Sequence, residues 1–276
     1  MINETLVLSA RALKKWIRNP AAVVPGLVTS IFYIALFGSS FNPTNLIPSG
    51  SVGTQTILQQ SFGGAPTYIT YLTAGVICLI LVFNMAFGGI DLVLDRQLGF
   101  LSTLLTAPIP RAAIFLSGVV QNLVKAMFLA FLTFIIALAI PNGLELPSSF
   151  GALDFVGVFL AFALLGLGLS SVFTAIALSV RSIDSLIAIV NFMTLPLIFM
   201  SNALFPSTSF PDWLKAIANV NPISKTNEAA RLLIINGNLS SSQLSTFTGD
   251  MLYLLGFVVV FGLIGYFAAR KALSAQ

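Results

Sequence analysis

Residues 68–90 read YITYLTAGVICLILVFNMAFGGI, a run without a single charged side chain. At about 1.5 Å per residue, a helix of that length crosses the ~30 Å of hydrocarbon in a bilayer. Runs of the same kind, uncharged or nearly so, lie at 21–41, 112–140, 155–180, 185–205 and 251–269. The composition agrees: of 276 residues 57% are hydrophobic and 8% charged, whereas a soluble domain carries about a quarter charged residues. Mean hydropathy is +0.98. The reading is an all-α membrane protein with six transmembrane helices, one membrane domain over 21–276 and a distinct element at 1–20.

Several chemistries are disfavoured by residue type. The chain has no histidine and one cysteine, and Cys78 lies inside an apolar run, so an intrachain disulfide and Cys/His metal ligation have no material. No G-x-x-x-x-G-K-[ST] loop is present to cradle nucleotide phosphates. No catalytic residue, metal site or cofactor site is therefore expected in this chain, and ATP, if used, must be handled by another polypeptide.

Lys and Arg set the orientation. Arg11, Lys14, Lys15, Arg18, Arg96, Arg111, Arg181, Arg270 and Lys271 fall on one side of a six-span arrangement, and Lys215, Lys225 and Arg231 on the other. The positive-inside rule puts both termini and the loops around Arg96 and Arg181 in the cytoplasm. The net charge of +4 reports this topology, and nucleic-acid binding is not needed to explain it.

Ahead of the first span, Leu6, Ala10, Leu13 and Ile17 recur at helical spacing. Arg11, Lys14, Lys15 and Arg18 form a cationic stripe, and Pro20 ends the run. This predicts an amphipathic helix lying against anionic lipid. The competing reading is a signal peptide, but the apolar core that follows exceeds the usual ~7–15 residues and no small-residue cleavage site follows it. On the outer side, 42–67 is uncharged and rich in loop-forming residues, and 206–250 holds two apolar-periodic stretches separated by Asn221 and Pro222. These predict short helices at the outer membrane surface, some of them re-entrant. No internal repeat is visible.

The loop 91–111 carries the most information. Leu94, Leu98, Leu101 and Leu105 mark one helical face and Arg96, Gly99, Thr103 and Thr106 another, with Pro108 and Pro110 closing the element. Periodicity fits two readings equally, a connection resting on its own bundle and a docking element for a soluble partner.

Residues 95–111, DRQLGFLSTLLTAPIPR, resemble the charged, Gly-Thr-Leu, Leu-Leu, Pro-x-x-Arg run of ABC-2 type transporter permeases. Phe100 and Leu101 stand where that family's core commonly has Thr-Leu after Gly. The segments FPDWL at 210–214, NPIS at 221–224 and EAARLL at 228–233 resemble the outer segment of the same permeases between their fifth and sixth spans. With the N-terminal helix and the order of spans, the resemblance covers essentially the whole chain, and it is strongest to the drug-resistance, daunorubicin-type members. It implies a homodimer working with two copies of a soluble ATPase that binds ATP and magnesium. It also implies a connecting helix at 1–20 and a coupling region at 91–111, with Arg96, Gly99, Phe100 and Thr103 at the ATPase contact. The cargo implied is a hydrophobic or amphipathic molecule, drug-like or lipid, moved outward across the plasma membrane.

Inside the spans, Lys125 stands out, with Gln121 and Asn122 on its side of the helix. A lysine there costs roughly 2.5–3.5 kcal/mol on insertion scales. The cluster reads either as part of a transport pathway or dimer interface, or as a lysine stretching to the outer interface. Gly166, Ser170 and Thr174 are spaced for close helix packing. Asn84, Asn191 and Asn202 are expected to bond between helices, and Pro196 to bend the fifth span. Two rival functions remain. An ion-coupled carrier or channel would use Lys125 as its coupling charge but lacks intramembrane carboxylates, and an intramembrane enzyme lacks a catalytic dyad.

Overall fold

Each of the six apolar runs carries a helix, in the expected order. The structure, a computed structural model, describes residues 2–40, 62–106, 109–140 and 143–274. Most of the expected outer loop at 42–67 lies outside the described residues, as do Ala107, Pro108, Asn142 and the side chain of Leu105. The helices are α1 (Ile2–Ile17), α2 (Pro20–Ser40), α3 (Tyr68–Phe87), α4 (Ile90–Gln97), α5 (Phe100–Thr106) and α6 (Arg111–Ala139), then α7 (Ala152–Ser179), α8 (Ile183–Phe199), α9 (Asp212–Val220), α10 (Pro222–Asn236) and α11 (Ser241–Ser274). Among the described residues, four stretches are long and apolar enough to cross a membrane: Tyr68–Gln97, Arg111–Ala139, Ala152–Ser179 and Ser241–Ser274. Gly26–Leu36 and Ile183–Phe199 are shorter apolar helices.

Helix starts follow local chemistry. Thr67, in extended conformation, accepts from the amide of Thr70 at 3.2 Å to open α3. Asn221 accepts from the amide of Ile223 at 2.9 Å, with Pro222 in the first turn, to open α10. Both are standard ways to satisfy amides that have no partner in the first turn.

The middle of the bundle is α7, which packs against α6, α10 and α11. Lipid is as apolar as leucine, so helices associate there through close packing of small residues. Gly166, Ser170 and Thr174 form that seam: Ser170 donates to the carbonyl of Val119 at 3.1 Å, while Gly166 faces Leu123 and Thr174 faces Gly118. Around the seam, Phe131, Phe134, Phe155, Phe159 and Phe162 make a chain of edge-on and tilted ring contacts.

Two expectations change in the segments expected on the outer side. The fifth apolar run is helical only to Phe199, about 26 Å of helix. Residues 200–205 then run irregularly and are largely buried. Such backbone is tolerated where protein groups replace the lost hydrogen bonds. Here Asn221 Nδ2 donates to the carbonyls of Leu197 and Met200, and Ser224 Oγ accepts from the amide of Asn202. The second change concerns the outer helices: α9 exposes Trp213, Ile217 and Val220, but α10 is no surface helix. Its Ile223, Thr226, Asn227, Ala229, Ala230 and Ile234 are fully enclosed by α3, α7 and α11.

The expected asparagine bonds are also corrected. Asn84 donates within its own helix to Ile80 and Asn191 is exposed, whereas Asn202 donates to Glu228 on α10.

Candidate functional site

The predicted contact residues lie in an elbow formed by α4 and α5. The α3 backbone keeps helical dihedrals through Gly88 and Gly89 and runs on into α4. It breaks at Gly99, whose φ of +76° only glycine adopts without strain. The single helix expected from the leucine spacing is therefore two short ones. The break rotates the leucine face apart, leaving Leu101 buried and Leu98 78% exposed.

Around the break, side chains tie the elbow to its neighbours. Arg96 turns inward and donates through Nη1 and Nη2 to the carbonyls of Val180 and Leu178, capping the C-terminus of α7. Gln97 donates to the carbonyl of Arg181 at 3.4 Å. From α1, Arg11 lies 3.8 Å from the Asp95 carboxylate and stacks 3.7 Å above the Phe100 ring. Phe100 is half-buried beneath that guanidinium, while Leu98, Gly99 and Thr103 face outward. Thus Arg96, placed on the polar face by spacing, is engaged inside the subunit. Arg11 and Asp95 were not among the predicted residues, because their proximity depends on how α1 meets α4.

α1 is itself anchored on α6. Ser9 donates to the carbonyl of Ser117 at 3.4 Å and the Trp16 ring meets Phe128 at 5.7 Å. Leu6, Val7 and Ile17 remain exposed, so the face turned to the bundle is offset from the expected apolar stripe.

Behind the elbow sits the polar cluster on α6. Lys125 is 7% exposed and its Nζ donates to Asp91 Oδ2 at 2.8 Å. It does not stretch outward. Helical side chains lean toward the N-terminus of their own helix, and for α6 that direction leads back to the first turn of α4. Asn122 is buried with its amide against Gly88, where a Cβ would lie 2.5 Å from Oδ1. Gln121 is buried beside it. The sequence signal for Asp91 was present, since it is the acidic residue closest to the end of the second run, but it reads as the start of a loop.

A second polar centre lies at the far end of the bundle. Arg231 on α10 is buried and donates to the carbonyls of Tyr71, Asn202 and Ala203 at 3.0, 2.9 and 2.9 Å, with its guanidinium 3.6 Å over the Tyr71 ring. Gly75 makes this possible, because any Cβ there would overlap the Ala203 carbonyl. Lys225 bridges Glu228 and Asp250 at 3.0 and 3.1 Å. Burial pulls its pKa down, but the hydrogen bonds and charges of Glu228 and Asp250 outweigh burial and hold it above the ordinary lysine value. Glu228, Arg231 and Asn202 border a cavity of about 270 Å³.

The described residues hold no group of three or more Cys, Asp or Glu side chains arranged to bind a metal. What the arrangement offers is mechanical: two helices joined at a bend, tied by charge to α1, α6 and the end of α7.

Comparison with known proteins bears on the same regions. The family model described as ABC-2 type transporter matches residues 3–235. A putative transport permease, ycf38, of Cyanophora paradoxa is 28% identical over 279 residues, covering 99% of this chain and 90% of that protein. A probable doxorubicin resistance ABC transporter permease protein, DrrC, of Mycobacterium tuberculosis is 22% identical over 262 residues, 94% of this chain and 85% of that protein. The daunorubicin resistance ABC transporter permease protein DrrB1 of Streptomyces coeruleorubidus is 25% identical over 182 residues, 63% of this chain and 62% of its own length.

Proposed function

This chain belongs to the ABC-2 type transporter family, and from that membership we propose that it is the permease subunit of an ATP-driven exporter. It works as a homodimer with two copies of a soluble ATPase, which bind ATP and magnesium. Six spans cross the plasma membrane with both termini and the α4–α5 elbow in the cytoplasm, and α1 lies in the inner lipid interface. The cargo is hydrophobic or amphipathic and moves outward. The drug-resistance relatives support this cargo class, as does the apolar character of the chain.

The observation that carries the coupling role is the junction of Arg11 with Asp95 and Phe100. Motion passes between subunits only through groups packed against both. The elbow has an inner side held by α1 and α7 and an outer side made of Leu98, Gly99 and Thr103, so it meets that requirement. Arg96 and Phe100 serve the inner side, and Gly99 and Thr103 the ATPase contact. Reconstitution of Leu98→Asp and Phe100→Ala with the partner ATPase tests this. Expected are weaker complex formation for the first, and for the second ATP turnover that continues while efflux falls. Wild-type assembly, turnover and efflux in both folded variants would remove the elbow from the coupling path.

A second reading, the ion-coupled carrier, is favoured by the carboxylate of Asp91 facing Lys125. That reading requires transport that follows an ion gradient and is indifferent to ATP.

A further inference from the structure

We propose that Lys125 is a positioning residue that exchanges acceptors: it binds Asp91 in the state seen here, and the side-chain amide oxygens of Gln121 and Asn122 when α4 moves away. The idea that this exchange accompanies transport rests on the permease reading above. The exchange itself does not.

The pair is asymmetric. The Asp91 side chain is 42% exposed and the Lys125 side chain 8%. If α4 shifts, the carboxylate can hydrate while the ammonium stays enclosed, and a buried charge without a partner is among the costliest arrangements in a protein. Replacement acceptors already stand beside it. Gln121 Oε1 and Asn122 Oδ1 are buried and meet no hydrogen-bond donor, and Asn122 Nδ2 meets no acceptor. They belong to the residues four and three positions before Lys125, over which a lysine leaning toward the helix N-terminus passes. Orphaned buried amides are a cost in this state; an ammonium turned onto the two amide oxygens would relieve their share of it.

The same joint controls both halves. The Asn122 amide rests on Gly88, and Asp91 follows in the first turn of α4. A swing of α4 about Gly88 and Gly89 therefore withdraws the carboxylate while the Asn122 amide, seated at the pivot, stays beside Lys125. Two arrangements, each with one satisfied set of partners, make a two-state element rather than a rigid strut.

The test is a double-mutant cycle on the purified subunit. Gln121→Leu with Asn122→Leu removes the orphaned acceptors and leaves the Asp91 pair in place, so the thermal midpoint should rise. In the Asp91→Asn background, where Lys125 depends on those amides, the same two substitutions should lower the midpoint by several degrees. The inversion of sign is what a merely structural role would not produce. With the partner ATPase, Gln121→Leu/Asn122→Leu should reduce transport about tenfold, within the usual range of coupling between sites. Equal midpoint shifts in both backgrounds overturn the exchange while leaving the permease reading intact. An inverted sign in a protein whose wild-type transport ignores ATP keeps the exchange and overturns that reading.

Discussion

Arg231 shows how much one side chain can decide. Its planar fork satisfies three carbonyls from two separate segments, α3 and the irregular stretch after α8. Leaving such groups unpaired costs about 1–3 kcal/mol each. The Asn202 carbonyl also accepts from Tyr71 Oη and the Tyr71 carbonyl lies within α3, so Arg231→Met should lower stability by about 1–3 kcal/mol, read as a fall in the denaturation midpoint in detergent. Arg231→Lys should recover only part of this, because an ammonium cannot reproduce the fork. The buried thiol of Cys78 is a convenient reporter, since a thiol-reactive dye reaches it only as the bundle opens. Recovery by lysine equal to wild type would mean that charge alone matters at this position. Arg231 was legible as part of the EAARLL resemblance, but its carbonyl partners were not, since all three lie at least 28 positions away in the chain.

The elbow shows where periodicity stops being a reliable guide. Leucines at 94, 98, 101 and 105 recur at helical intervals of four, three and four residues, yet spacing defines a face only while the helix continues. Gly99 interrupts it with a left-handed residue, and Leu98 turns outward. Gly99→Ala should cost about 1–2 kcal/mol if the bend is kept. A bend abandoned to relieve that strain would instead carry Phe100 away from Arg11. Cysteine cross-linking between positions 11 and 100 separates the two outcomes. A variant with unchanged stability and unchanged cross-linking would show that the bend does not depend on glycine. The α8 end follows similar logic: Pro196 lies in its last turn, but the helix stops at Phe199 because Asn221 is there to receive the free carbonyls.

The whole bundle makes a prediction about sides. If Lys and Arg set the orientation, cysteines placed at positions 98 and 181 should be labelled only from the cytoplasm, and one at position 238 only from outside. Native Cys78 contributes little background because it is fully enclosed. Labelling of position 98 from outside would overturn the orientation and, with it, the docking of an ATPase on the elbow. The exposed apolar faces of α8 and α11, including Phe192, Phe199, Val259 and Ile264, are among the surfaces open to lipid or a second copy of the chain.

Membrane residence, helical class and the order of the helices were legible in the amino-acid sequence, because a bilayer demands long apolar runs and internally satisfied backbone, and both leave a pattern in one dimension. The break at Asn221 and Pro222 was legible for the same reason, since these residues act on neighbours a few positions away. The pairing of Lys125 with Asp91, of Arg11 with Asp95 and of Arg231 with three carbonyls was not. Each depends on which way a side chain leans and on which helix stands within its reach. Those are properties of packing, and α10, polar enough to read as a surface helix, is enclosed by α3, α7 and α11, with Arg231 donating to Tyr71 on α3 and Lys225 paired with Asp250 on α11.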